Sequence, residues 1–263
     1  MHEADGDLHD LRNLFDLDGR TALVTGGASG LGQAIAAGMA SFGANVVLSD
    51  IDELGLEESR RLLQGISPNV IAIPADVTNL ESVEELVRQA VARYDRIDIS
   101  FQVPAISAKG PLVDLTPEDF NSVMGLNVSG VFNCLREVGK IMIHQGGGKL
   151  INLASIFSTV ALPGRAAYCA SKGAVAQLTK VAALEWAPHN IQVNAIAPAH
   201  FKTPMTRNLW EDVEKAEEVI DRNPQHRFAA PKEIVGAAVL LASPASSFIT
   251  GTILHVDGGW TAQ

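Results

Sequence analysis

Short aliphatic runs alternate with longer stretches of helical period along most of this chain. Thr21-Ala22-Leu23-Val24 reads as a buried strand, and residues 31–42 as a helix whose alanines and glycines allow close packing. Asn45-Val46-Val47-Leu48 and Val70-Ile71-Ala72-Ile73 are the second and third strands. Residues 80–94 carry Leu80, Val83, Leu86, Val87 and Ala90 at helical spacing, with acids early and Arg88 and Arg93 late, the order the helix dipole favours. A fourth strand covers 97–103, a long helix 128–144 and a fifth strand 149–153. A second long helix spans 166–186, and 191–196 is the sixth strand. Pro231 opens a helix running to Leu241, with proline in its first turn, and 252–256 is the final strand. Near-continuous apolar strands alternating with helices predict an α/β fold, its parallel sheet covered on both faces.

No Pro/Ser-rich linker and no repeat divides the 263 residues. Residues 1–14 read as an N-terminal tail and 15–263 as one catalytic domain. The long interruption at 198–227 holds Trp210 and a charged stretch from Glu211 to Glu218. It is expected to be a mobile flap, because long loops in compact domains are mostly functional lids.

Charge narrows the function classes. A formal net charge of -10 argues against a nucleic-acid surface or an anionic-membrane binder. The longest mostly apolar stretch, 150–162, is interrupted by Asn152, Ser155, Ser158 and Thr159. It is shorter than the roughly 20 residues a membrane helix takes. The start has Asp, Glu and His where a signal peptide needs a basic and then an apolar run. Cys134 and Cys169 have no metal-ligand spacing and are too few for a disulfide scaffold, and the histidines form no metal set. A soluble cytoplasmic protein is expected.

The first strand runs into Thr25-Gly26-Gly27-Ala28-Ser29-Gly30-Leu31-Gly32. Gly26 permits a tight turn, Gly30 lets the backbone approach a pyrophosphate, and Gly32 allows close helix–strand packing. Free N–H groups and the dipole at the helix start stabilise phosphates. The spacing is Gly-x-x-x-Gly-x-Gly, not Gly-x-Gly-x-x-Gly. Asp50 ends the second strand, where its carboxylate can accept hydrogen bonds from adenosine ribose hydroxyls and repel a 2′-phosphate. No Arg or Lys stands at 27–29 or at 51, so NAD is expected over NADP. Asp76-Val77 follows the third strand, and Asp76 reads equally as a turn residue or as a cofactor contact.

Tyr168 and Lys172, at i and i+4, share one helix face. A free tyrosine titrates near ~10, too high to exchange protons well at neutral pH. A nearby ammonium, with the positive ring of an oxidised nicotinamide, is expected to lower that value. Ser155 follows the fifth strand, at the edge where open α/β sheets place ligands. A lone Tyr-x-x-x-Lys means little. Beside a dinucleotide fingerprint it marks a proton donor next to a hydride carrier.

With these residues in hand, the chain from about Phe15 to Trp260 resembles the short-chain dehydrogenase/reductase family. The likeness rests on Thr25-Gly26-x-x-x-Gly30-x-Gly32, Asp76, Asn127, Ser155, Tyr168-x-x-x-Lys172, Pro198 with Thr203, and Asp257-Gly258-Gly259. The tract from Glu185 to Ile196, with Phe201-Lys202-Thr203, is most similar to the gluconate 5-dehydrogenase and polyol dehydrogenase branch. The resemblance implies a single Rossmann-type, doubly wound, parallel seven-stranded sheet and a homotetramer. It implies a small-molecule alcohol or ketone as substrate. It makes Tyr168 the general acid/base and Ser155 the group orienting the substrate oxygen. Lys172 binds the nicotinamide ribose and tunes Tyr168, and Asn127 holds a water in a proton relay through Lys172. The backbone at Ile196 and Thr203 borders the cofactor. Expected cofactor contacts are Gly26, Ser29, Gly30, Leu31, Gly32, Asp50, Ile51, Asp76, Val77, Val103, Pro104, Tyr168, Lys172, Pro198 and Thr203.

Two departures stand out. Where the family usually has Asn-Asn-Ala-Gly after the fourth strand, this chain has Gln102-Val103-Pro104-Ala105, and Ala199 replaces the glycine usual after Pro198. Pro104 removes a backbone donor and forces Val103 extended. The changes mean either weaker, repositioned cofactor binding or compensated drift. Ser155, Phe157, Arg165, Tyr168 and His200 are the candidate substrate contacts. Arg165 or Lys109 serves a sugar-acid carboxylate or is plain solvated surface. Three functions remain open: an NAD-dependent alcohol dehydrogenase, a non-redox lyase-type relative, and an NAD-sensing protein without turnover. Lys172 and the intact glycines oppose the lyase.

Overall fold

Seven strands build the sheet: β1 (Thr21–Thr25), β2 (Asn45–Ser49), β3 (Val70–Ala72), β4 (Ile99–Gln102), β5 (Gly148–Leu153), β6 (Ile191–Pro198) and β7 (Ile253–Val256). Their order is β3-β2-β1-β4-β5-β6-β7, and every pairing is parallel. The structure is a computed structural model and describes residues 8–263.

Both sheet faces are apolar because helices cover both. On one side Val24, Leu48, Phe101 and Ile151 pack with Ile35 and Met39 of α1 (Gly30–Ser41) and with Ala238 and Leu241 of α9 (Val235–Ala242). On the other, Leu23, Val47, Leu150 and Val193 meet α3 (Leu80–Tyr94), α5 (Val131–Gln145) and α6 (Ala166–Trp186) through Leu86, Val138 and Val175. Alternate residues of one strand therefore serve two cores, which is why the strands read as unbroken apolar runs.

Two helices escape the hydrophobic pattern. α2 (Glu53–Gln64) is capped by Asp52, which accepts from Gly55 N, but it buries only Leu56, Ser59 and Leu63. α4 (Pro117–Met124), capped by Thr116, buries only Val123. A π-helical turn, Gly125–Gly130, joins α4 to α5, so the expected start at 128 falls inside that turn. The expected flap is also largely helical. α7 (Arg207–Trp210) and α8 (Val213–Arg222) lie within it, and Val219 joins Ile156, Phe228 and Trp260 in a small apolar cluster. Of the expected tail, residues 1–7 lie outside the described residues, and Leu8–Phe15 forms a 3-10 helix. Among the described residues no helix is long and apolar enough to cross a membrane.

The topology fixes where a ligand can sit. β1 lies between β2 and β4, so the chain leaves it toward one edge and later returns to build toward the other. The crevice at the carboxyl ends of β1 and β4 is the binding place such a reversal creates.

Candidate active site

A groove of about 720 Å³ occupies that crevice. Of the expected cofactor residues, Gly26, Ser29, Gly30, Leu31, Gly32, Asp50, Ile51, Asp76, Val77, Val103, Pro104, Tyr168, Pro198 and Thr203 line it, while Lys172 and Ile196 are buried and do not. The glycine turn is a cradle only because two side chains are missing. Gly26 has φ +74, and a Cβ there would lie 2.8 Å from Pro104 N. A Cβ on Gly32 would sit 2.0 Å from Gly26 O. Ser29 caps α1 without a side-chain capping bond, so its hydroxyl is available to a phosphate.

Asp50 is held at the groove by its neighbours. Its Oδ2 accepts from Ala28 N and its Oδ1 from Asp52 N, both at 3.1 Å. Each oxygen keeps a lone pair for a ribose hydroxyl. Asp76 is a turn residue, its Oδ1 accepting from Thr78 N at 2.8 Å and Thr78 Oγ1 at 2.7 Å, and it also lines the groove. The donor set, the cradle and the two carboxylates fit a dinucleotide.

The departures after β4 show a local cause for concern at the same wall. Gln102 Nε2 donates to Ser100 Oγ at 2.7 Å, but its Oε1 is buried without a partner, as is Asn152 Oδ1 on the paired strand. Pro104 packs directly onto the Gly26 turn.

α6 carries the reacting side chains. Lys172 is 2% exposed and donates one proton from Nζ to Leu153 O at 2.6 Å. Its Nζ stands 5.7 Å from the centre of the Tyr168 ring. Burial pushes Lys172 down to about 8 and pushes the Tyr168 phenol up to about 12. The expected acidification rests on the ammonium together with an oxidised nicotinamide; in the chain by itself the lysine is not among the groups that lower the phenol. Both groups sit where charge is poorly solvated, so each favours its neutral form. Against burial, the phenol is helped by the Ser155 hydroxyl and then by the Arg165 guanidinium. Ser155, two residues beyond β5, also accepts from Phe157 N at 3.2 Å.

Asn127 sits in the π-helical turn, fully buried, and its side chain is committed. Nδ2 donates to Ile106 O at 2.9 Å and to Ser171 Oγ at 3.0 Å, while Oδ1 accepts from Ile106 N at 2.9 Å. It therefore pins the loop after β4 to α6. π-turns in helices recur at functional sites.

A second cavity of about 440 Å³ adjoins the first, and Ser155, Phe157, Arg165, Tyr168 and His200 all line it. Tyr168, Ala105, Ile106 and Met205 belong to both walls. Phe157 meets Tyr168 edge to face at 6.2 Å. His200 lies on Trp260 at 4.7 Å, and burial, then Arg165 and Arg222, push it down to about 4. Ser107, Asn208 and Leu209 also line this wall; they lie in stretches expected as loops facing Tyr168, though not among the expected contacts. The last two come from α7, a helix too short to leave a periodic signal. Among the described residues no group of His, Cys, Asp and Glu could hold a metal ion.

Comparison with known proteins places this architecture. The family model described as enoyl-(acyl carrier protein) reductase matches residues 26–261. A 2-dehydro-3-deoxy-D-gluconate 5-dehydrogenase of Dickeya dadantii is 37% identical over 252 residues, spanning 95% of this chain and 99% of that one. An NAD-dependent glycerol dehydrogenase of Listeria innocua is 38% identical over 250 residues, spanning 95% and 96%. The crystal structure of a gluconate 5-dehydrogenase from Burkholderia cenocepacia, in complex with NADP and tartrate, superposes with TM-score 0.92 at 37% identity, covering 95% and 98%. Identity at that level over nearly the whole length, on the same fold, reflects common descent, and the chain belongs to the short-chain dehydrogenase/reductase family of oxidoreductases.

Proposed function

We propose that the protein interconverts a secondary alcohol and a ketone on a sugar acid, polyol or similar small molecule, with NAD as cofactor and Tyr168 as general acid/base. The observation that carries this reading is the position of Tyr168, on the shared wall of a groove that fits a dinucleotide and a cavity that fits a small substrate. The names of the relatives, which span sugar-acid and polyol dehydrogenases, support the substrate range.

The chemistry that NAD would supply when bound is hydride acceptance, and its positive ring would also favour the phenolate. The remaining work falls to this chain. Ser155 Oγ orients the substrate oxygen. Tyr168 removes the hydroxyl proton in oxidation and returns it in reduction. Lys172 keeps two of its three protons for a ribose hydroxyl or water after bonding Leu153 O. Asn127, its side chain already engaged, serves a proton path through its backbone carbonyl and holds the loop at Ile106 in place. Production of NADH at 340 nm across alcohols, polyols and sugar acids tests the reading. Saturable NAD binding without NADH from any of them would favour a sensor instead. We read the assembly as a homotetramer, supported by the exposed Phe132, Val181 and Leu184 on α5 and α6.

The relatives do not decide the cofactor, since one is named for NAD and another holds NADP. Asp50 supports NAD. Two like charges ~4 Å apart near a protein surface repel by a few kcal/mol. NAD is thus expected to bind on the order of 100-fold more tightly than NADP, and Asp50→Ala to erase most of that ratio. Fluorescence titration of both cofactors measures it, and an unchanged ratio would remove Asp50 from the role.

The proline after β4 gives a further expectation. Replacing Gln102, Val103, Pro104 and Ala105 by Asn-Asn-Ala-Gly restores a backbone donor and removes a methyl beside the cofactor path. NAD affinity is expected to rise about tenfold, one recovered hydrogen bond. An unchanged dissociation constant would mean that the chain has compensated elsewhere.

A further inference from the structure

The substrate cavity has a wall with cations and no acids. Arg165 and Lys109 line it, and among the described residues no Asp or Glu does. The chain as a whole has a net charge of -10, so this local sign runs against the rest of the molecule.

Neither cation is neutralised. No ion pair among the described residues includes Arg165 or Lys109. Arg165 is half-buried at the N-terminal end of α6, and its Nη1 donates to a neutral partner, Ser107 Oγ, at 3.2 Å. A guanidinium has five donors in a planar fork, so four remain for something else. Burial already weighs against its charge. Lys109, on the exposed rim, is also disfavoured as a cation, by desolvation, by Arg165 and by Lys215 of α8. Cations held close together without a counter-ion are costly unless an anion joins them. The opposite wall adds no competing charge, because His200 is held neutral down to about 4.

Resting on the dehydrogenase reading, we propose that the substrate carries a carboxylate, gripped by the Arg165 fork with Lys109 as outer cation, while its reacting carbinol faces Ser155 and Tyr168. Neutral polyols are then poor substrates. Arg165 stands at the N-cap of α6, three residues before Tyr168, and both side chains line this cavity. The grip and the acid/base are thereby set at a fixed separation. A planar carboxylate matches the fork in two parallel hydrogen bonds, which an ammonium cannot reproduce.

Matched pairs test this. Aldonates of four to six carbons are assayed against the alditols of the same configuration, in which the carboxylate is a CH₂OH. The wild-type enzyme should favour the acid of the preferred pair by about 100-fold in kcat/KM, the value of a good bidentate contact. Arg165→Met should raise KM for the acid about 100-fold and collapse the acid-to-alditol ratio toward unity, and Arg165→Lys should recover part of it. Because Arg165 also favours the phenolate, kcat and its pH dependence can move for both substrates. The ratio isolates the grip. As a second readout, L-tartrate should inhibit the wild type competitively against the alcohol and lose about 100-fold in potency in Arg165→Met. NAD affinity of each variant, read by fluorescence, reports that the fold is intact. Equal efficiency on acid and alditol, or equal losses on both in Arg165→Met, overturns the inference and leaves the dehydrogenase standing. No NADH from any member of either panel overturns the dehydrogenase reading itself, and the inference with it.

Discussion

Tyr168→Phe is expected to lower kcat by about 10³- to 10⁴-fold, the contribution of a positioned acid/base, while leaving the fold and NAD affinity in place. The ring stays, and with it the edge-to-face contact with Phe157 at 6.2 Å. Only the hydroxyl and its link to Ser155 are lost. The pH dependence sharpens the test. Without ligand, the phenol is pushed up to about 12, so at neutral pH it is protonated. Ketone reduction needs the protonated form and alcohol oxidation the deprotonated one. The wild-type oxidation rate should therefore climb as pH rises toward the phenol's value in the complex, and the residual rate of the variant should lose that slope. Stopped-flow measurement of NADH at several pH values reads both quantities. A variant with kcat within tenfold of the wild type and the same slope would remove Tyr168 from the chemistry.

How far the sequence spoke depended on how each element earns its place. Strands buried on both faces must be apolar throughout, so β1, β2, β5 and β6 were legible as runs. α1, α3 and α6 lean on the two cores over many residues and were legible too. α2 and α4 were silent because each buries so little, three residues in one and one in the other. Their caps, Asp52 and Thr116, are common residues in loops as well. α7 and α8 were hidden inside a charged stretch, and what holds them is a contact the sequence cannot display: Val219 against Phe228, Ile156 and Trp260, drawn from four separate parts of the chain.

The site was read differently, by chemistry instead of period. The glycine turn, Asp50 and the Tyr168–Lys172 pair each name a reaction part, and all but the buried Lys172 lie on one of the two cavity walls. Electrostatics was the weakest inference. Sequence spacing puts an ammonium one turn from the phenol, but it says nothing about water. Exclusion of water moves Lys172 down and Tyr168 up, and it leaves Arg165 as a cation that favours the phenolate. A charge three residues upstream thus matters to a group whose expected helper was four residues downstream.

Gly32→Ala should be the most damaging single methyl that can be added at the cofactor groove. The new Cβ would stand 2.0 Å from Gly26 O and 2.8 Å from Gly26 C, both backbone atoms of the turn itself. No rotamer relieves a Cβ, so α1 must move away from the end of β1 or the turn must open. Overpacking of this kind costs up to ~3 kcal/mol where neighbours can shift, and more where they are backbone. Opening the turn also misaims the N–H groups at the start of α1, so NAD affinity should fall by at least on the order of 100-fold even in protein that still folds. Gly236→Ala is the matched control. It adds the same methyl to an exposed helical glycine with nothing within 4 Å, where alanine should stabilise by about 0.5–1 kcal/mol. Thermal melts with and without NAD separate the two losses. The NAD-induced rise in melting temperature should vanish in Gly32→Ala and persist in Gly236→Ala. If Gly32→Ala melted like the wild type and kept its NAD-induced rise, the close approach of α1 to the Gly26 turn would not be what shapes the cradle.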